Sequence, residues 1–224
     1  MPDSHIDQIL AHADPDRAPG QAAYHKVARV YLGVPNPVLN DLTRDWRRDL
    51  SLPRRVDLAR ELWARDIFET RIAAAKLLTQ ARIRPDDAVW DLICAWLRDF
   101  DSWAIADHVC MAAQKRLVAD PSRLDLVEGW TGSDHMWTRR AALVATLPWT
   151  KQNHPKPEDL ARRDRILGWA ASYVADPDWF IQKSVAWWLR DLSKHDAPRV
   201  RAFLAEHGPA MKPFARKEAG RLLT

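Results

Sequence analysis

The chain has 224 residues, enough for a single core that buries about 70% of the unfolded surface without disulfides or structural metals. Only 7 glycines stand against 15 prolines, which argues against a turn-rich all-β fold or a glycine-rich phosphate loop. The net charge of +4 is uneven: residues 1–112 carry 15 basic and 17 acidic side chains, residues 113–224 carry 19 and 13, which permits a polyanionic partner without requiring one.

The prolines fall between runs of helical periodicity. Pro53, Pro85, Pro157, Pro198 and Pro213 stand where helices are expected to start, because the first-turn amide needs no intrahelical acceptor. The runs in chain order are 21–32, 37–48, 53–64, 67–79, 86–98, 102–119, 123–130, 136–147, 157–174, 178–194, 198–206 and 212–223. No stretch shows sustained period-two alternation bounded by hairpin turns, so no sheet is expected. Taken in pairs, the helices repeat every 30–40 residues or so, the range of helical solenoids. The expected fold is all-α, a solenoid of about six antiparallel helix pairs forming one domain over residues 1–224, with an irregular bundle as the alternative.

Cys94 and Cys110 give no disulfide framework and no zinc spacing, and are expected to be reduced core thiols of a cytoplasmic protein. The N-terminus has no basic segment followed by an apolar run, so no export signal is expected. No run approaches the roughly 18 apolar residues of a spanning helix, so no membrane is expected either. The eight histidines contain no HExxH, and neither a Walker loop nor a GxSxG elbow occurs. No metal and no cofactor are expected.

Twelve tryptophans outnumber the five phenylalanines and three tyrosines together, and most should be core. Helix phase, at about 100° per residue, separates exceptions. In 178–194 the apolar arc is Ile181, Val185, Trp188, Leu189 and Leu192. Trp187 projects to the opposite side with Lys183 and Arg190, its neighbours at i−4 and i+3. It either packs against an adjacent repeat or meets a ligand. In 102–119 the apolar side is Ile105, Val109 and Ala112, while Trp103 and Asp107 share another face, four residues apart. His108 points about 100° from Asp107, which argues against a dyad. Arg140 shares a face with Met136, Leu143 and Leu147, where a guanidinium needs an anion or a route to water. Lys212, Arg216, Lys217 and Arg221 form a terminal basic patch, which is either a solvated helix end or a phosphate contact.

Six segments in order resemble the DNA alkylation repair family of HEAT-like-repeat DNA glycosylases, the AlkD-like proteins. They are Tyr31-Leu32-Gly33-Val34 with Pro35-Asn36-Pro37, then Arg60-Glu61-Leu62-Trp63, Trp103-Ala104-Ile105-Ala106-Asp107 and Trp137-Thr138-Arg139-Arg140-Ala141-Ala142. The last two are Phe180-Ile181-Gln182-Lys183-Ser184-Val185-Ala186-Trp187-Trp188-Leu189-Arg190 and Arg216-Lys217-Glu218-Ala219. The resemblance spans nearly the whole chain, and the Phe180–Arg190 stretch is its most specific part.

The resemblance implies a HEAT-like solenoid with a concave basic face. It implies a monofunctional enzyme that excises cationic purines of the 3-methyladenine and 7-methylguanine type from double-stranded DNA, without extruding the base. It places the family's WxxxD pair on Trp103 and Asp107, its arginine on Arg140, its second tryptophan on Trp187 and a DNA-proximal tyrosine on Tyr24. Asp107 would stabilise the oxocarbenium-like sugar, the indoles would hold the cationic lesion, and Arg140 would hold a phosphate. Lys183, Arg190, Arg139, Lys212, Arg216 and Lys217 would neutralise further phosphates. A monomer is expected. The alternative is a non-catalytic helical-repeat module that binds DNA or a protein.

Overall fold

The computed structural model describes residues 4–223, within which there are thirteen α-helices, four short 3-10 turns and one isolated parallel bridge between Val30 and Ile67. Proline starts many of the helices as expected. Helices α3 (Asn36–Asp49), α4 (Leu52–Ala64), α10 (Pro157–Ser172), α12 (Ala197–His207) and α13 (Pro213–Ala219) each carry one in the first turn. Pro85 instead precedes α6 (Asp87–Trp96) by two residues. A short α1 (His5–Leu10), which periodicity misses, is started by a capping box between Ser4 and Asp7.

The expected helix 21–32 ends early. Helix α2 (Ala18–His25) ends where Lys26 adopts the left-handed conformation, and the following chain has no helix before α3. A distant group holds the chain beyond it. The carboxylate of Glu69, 1% exposed, accepts the backbone N–H groups of Leu32 at 2.9 Å, Gly33 at 2.8 Å and Val34 at 3.3 Å. Those amides are satisfied without a helix.

The chain groups into two compact units, the first running to Ala119 and the second starting at Asp120. In the first, α5 (Phe68–Leu77) packs against α3, α4 and α7 (Trp103–Ala119). It is buried on every side, so its apolar pattern is not one-sided. In the second, α11 (Trp179–Ser193) is the central helix, packed on α9 (Met136–Val144), α12 and α13. Trp188 is fully buried on it, beside Ile181, Val185, Leu189 and Leu192.

Each unit also holds a loop with a buried arginine. Arg116 of α7 donates to Ile83 O at 3.2 Å and to Asp86 at 2.9 Å. Arg163 of α10 donates to Trp149 O, Gln152 O and Asp196. A buried guanidinium is tolerable there because carbonyls and a carboxylate meet its fork. No helix among the described residues is long and apolar enough to cross a membrane.

Candidate functional site

Helix α7 begins at Trp103 because Ser102 precedes it, its Oγ accepting from the Ile105 amide at 3.4 Å. Ile105, Ala106, Val109, Ala112 and Ala113 are buried, so burial fixes the rotation of the helix. Trp103 and Asp107 are then left half-buried, one turn apart. His108 Nδ1 lies 2.7 Å from Ala104 O. A carbonyl only accepts, so Nδ1 carries the proton and Nε2 keeps its lone pair. Burial pushes the His108 pKa down and favours the neutral ring.

Trp103 stands in an aromatic cluster. The His25 ring, at the end of α2, lies 4.4 Å from Phe68, 5.5 Å from Trp103 and 6.0 Å from Tyr31. Tyr24 meets Trp103 edge-on at 6.0 Å and is 69% exposed. The structure therefore brings Tyr24 and Trp103 together in the first unit. Burial also lowers the His25 pKa, so a neutral ring faces its aromatic neighbours.

In the second unit Arg140 is 4% exposed and donates to Phe180 O at 3.1 Å. Trp187 is half-buried on α11. Cations of this unit have partners within the protein. Glu218 of α13 accepts from Lys183 and, at 2.5 Å, from Arg190. Lys212 Nζ donates to Pro177 O, and Arg139 donates to Ser133 O, Asp134 O and Asp176. Arg216 and Lys217 are exposed. Four of the six cations expected at phosphates thus also act as internal ties.

Sequence reasoning gave several groups no role. Trp179, half exposed, stacks on Phe214 at 5.6 Å and meets Phe180 at 5.1 Å, and Phe180 lies 4.6 Å from Trp137. The chain pattern W-F at the helix start was the available signal for this aromatic surface. Gln182, fully buried, donates to the carbonyls of Tyr173, Val174 and Asp176 and accepts from the Lys212 amide. It therefore shapes the approach to α11 and α13. His25 and Glu218 had no spacing signal at all. Among the described residues no group of three or more His, Cys, Asp or Glu side chains is placed to hold a metal ion.

No match is found among curated protein sequences. Among solved structures, the chain is similar to a predicted DNA alkylation repair enzyme from Enterococcus faecalis. The TM-score is 0.79 at 19% identity, over 95% of this chain and 97% of that one. It is also similar to AlkD2 from Streptococcus mutans, with a TM-score of 0.62 at 18% identity, over 82% of this chain and 88% of that one. At such identities the likeness is one of fold, and it agrees with the all-α helical-repeat architecture read from the sequence. The model of the DNA alkylation repair enzyme family matches residues 6–223, and the chain belongs to that family.

Proposed function

We propose that the protein is a monofunctional DNA glycosylase that hydrolyses the N-glycosidic bond of cationic alkylated purines, of the 3-methyladenine and 7-methylguanine type, in duplex DNA. One observation carries this reading: a protein of the DNA alkylation repair family presents an indole and a carboxylate, Trp103 and Asp107, half-buried one turn apart on α7.

Departure of a purine builds positive charge on the deoxyribose, as in glycoside hydrolysis. A carboxylate at the sugar stabilises that charge as it develops and orients the attacking water, and Asp107 takes this role. The indole face of Trp103 attracts the cationic lesion and sugar by about 0.5–2 kcal/mol. Tyr24 extends that surface outward. Arg140 and Trp187, in the second unit, are assigned to a backbone phosphate and the lesion sugar. Lys183, Arg190, Arg139, Lys212, Arg216 and Lys217 are assigned to further phosphates.

An alkylated cationic purine is already a good leaving group, so no general acid is required. For the same reason the lesion need not leave the helical stack, and neutral lesions should be inert. The protein acts as a monomer, without a metal or cofactor. The test is a mass-spectrometric inventory of bases released from alkylated duplex DNA. Release of 3-methyladenine and 7-methylguanine is expected. DNA binding with no base released would sink the glycosylase reading.

A further inference from the structure

The first unit holds a cavity of about 200 Å³, whose lining includes Gln21, His25, Leu39, Phe68, Trp103 and His108. Two buried polar atoms of these residues, Gln21 Oε1 and His25 Nδ1, have no hydrogen-bond partner. Buried polar atoms are ordinarily paired, so each such atom calls for an explanation. The orientation of the Gln21 amide follows from its neighbour: Nε2 donates to Val34 O at 3.4 Å, which leaves Oε1 as an acceptor. His108 adds a second acceptor, because its protonated Nδ1 is held by Ala104 O and Nε2 keeps a lone pair.

Size and chemistry then select the occupant. The cavity is larger than the roughly 150 Å³ that admits benzene, and smaller than the roughly 300 Å³ at which drug-sized sites begin. One mono- or bicyclic ring system fits that range. Phe68 and Trp103 offer aromatic surface for a flat ring, while the acceptors require a ligand with N–H donors. Purines that carry an amino group meet both demands.

We propose that this cavity is a binding site for one amino-bearing purine ring, with N–H groups donated to Gln21 Oε1 and His108 Nε2 and the ring against Phe68 and Trp103. The choice of a nucleobase rests on the glycosylase reading, in which a base is set free beside Trp103. The source assigned is that free base, held after excision and before release.

The probe is 2-aminopurine, a fluorescent isomer of adenine, titrated as the free base into the full chain. Saturable quenching with one site per chain is expected. Gln21→Leu removes the acceptor at nearly constant size and should weaken binding about tenfold, the worth of one good hydrogen bond. Its affinity for toluene, which needs no acceptor, should not change. Ala104→Leu fills the cavity and should abolish both, with a thermal melt to confirm folding. If that variant does not fold, the Gln21→Leu contrast decides alone. No saturable response in the wild type, or equal affinity in Gln21→Leu, would overturn the site.

A duplex carrying one 2-aminopurine tests the source. A response that Gln21→Leu weakens would keep the cavity's chemistry and overturn the free-base assignment, together with the non-extruding mechanism. Excision of 7-methylguanine by a protein that binds no free base would overturn this inference and leave the glycosylase reading standing. Base binding without excision would do the reverse.

Discussion

Arg190 of α11 donates to the Glu218 carboxylate of α13 at 2.5 Å, and Lys183 reaches the same carboxylate. One acidic group thereby neutralises two cations assigned to DNA phosphates. Glu218→Gln should release both, so DNA affinity at low salt should rise. The slope of log affinity against log salt should steepen by up to about 1.8, at roughly 0.9 per phosphate. The same variant should lose about 1–2 kcal/mol of stability through the weakened ties between α11 and α13. A salt titration of DNA binding by anisotropy reads the first effect, and an unchanged slope would show that these cations do not meet phosphate.

Trp187 and Trp188 are adjacent, yet only the second is fully buried. Trp188→Ala should destabilise by about 3–5 kcal/mol, the range for a large core aromatic. Trp187→Ala should cost much less stability but slow excision roughly two- to thirtyfold, the span of a cation–π contact. Urea melts beside single-turnover excision separate the two. Equal stability losses would mean that Trp187 is simply another core residue.

Gly33 has φ +78°, and a Cβ there would meet Asp14 O at 2.1 Å. Gly33→Ala therefore combines left-handed strain with a backbone clash, and a loss of at least about 2 kcal/mol is expected. Since Glu69 holds the same amides, the damage should reach α2 and the rings of Tyr24 and His25. Hydrogen exchange at residues 31–34 should accelerate along with the lowered urea midpoint. A neutral substitution would mean that this segment does not fix α2.

His108 is held neutral by burial, with its pKa lowered from 6.5. The unfolded chain then binds more protons than the folded one below that value, so stability rises with pH. The His108 contribution is present above about pH 6.5 and is lost as pH falls through the unfolded pKa, with a slope of at most about 1.4 kcal/mol per pH unit. His108→Gln should flatten the dependence of the urea midpoint between about pH 5 and 7 relative to the wild type. Identical pH profiles for the two proteins would contradict a neutral buried ring.

What was legible in the sequence follows from which interactions are local. Helices α3, α7 and α11 are flanked by caps or prolines, so periodicity and punctuation found them, and the split between Trp187 and Trp188 came from phase alone. Helix α5 has no single apolar face because it is buried all round, with Glu69 and Arg71 inside it. The non-helical segment after α2 is held by Glu69, more than thirty residues from the amides it binds. The partner of Lys183 and Arg190 is Glu218, at separations of 35 and 28 residues. No local pattern reports such pairings. Lone histidines such as His25 and His108 carry no spacing signal, and their aromatic and hydrogen-bonded surroundings emerge only in the folded unit.

The central claim is that the carboxylate of Asp107 carries the chemistry. The most direct measurement is single-turnover release of 7-methylguanine from alkylated duplex DNA by wild type and Asp107→Asn, with binding of the same DNA followed in parallel. The account predicts a fall of about 10²–10³-fold in the excision rate, the worth of one group aimed at transition-state charge, with DNA binding unchanged or tighter. Excision by Asp107→Asn within about twofold of the wild-type rate would contradict it.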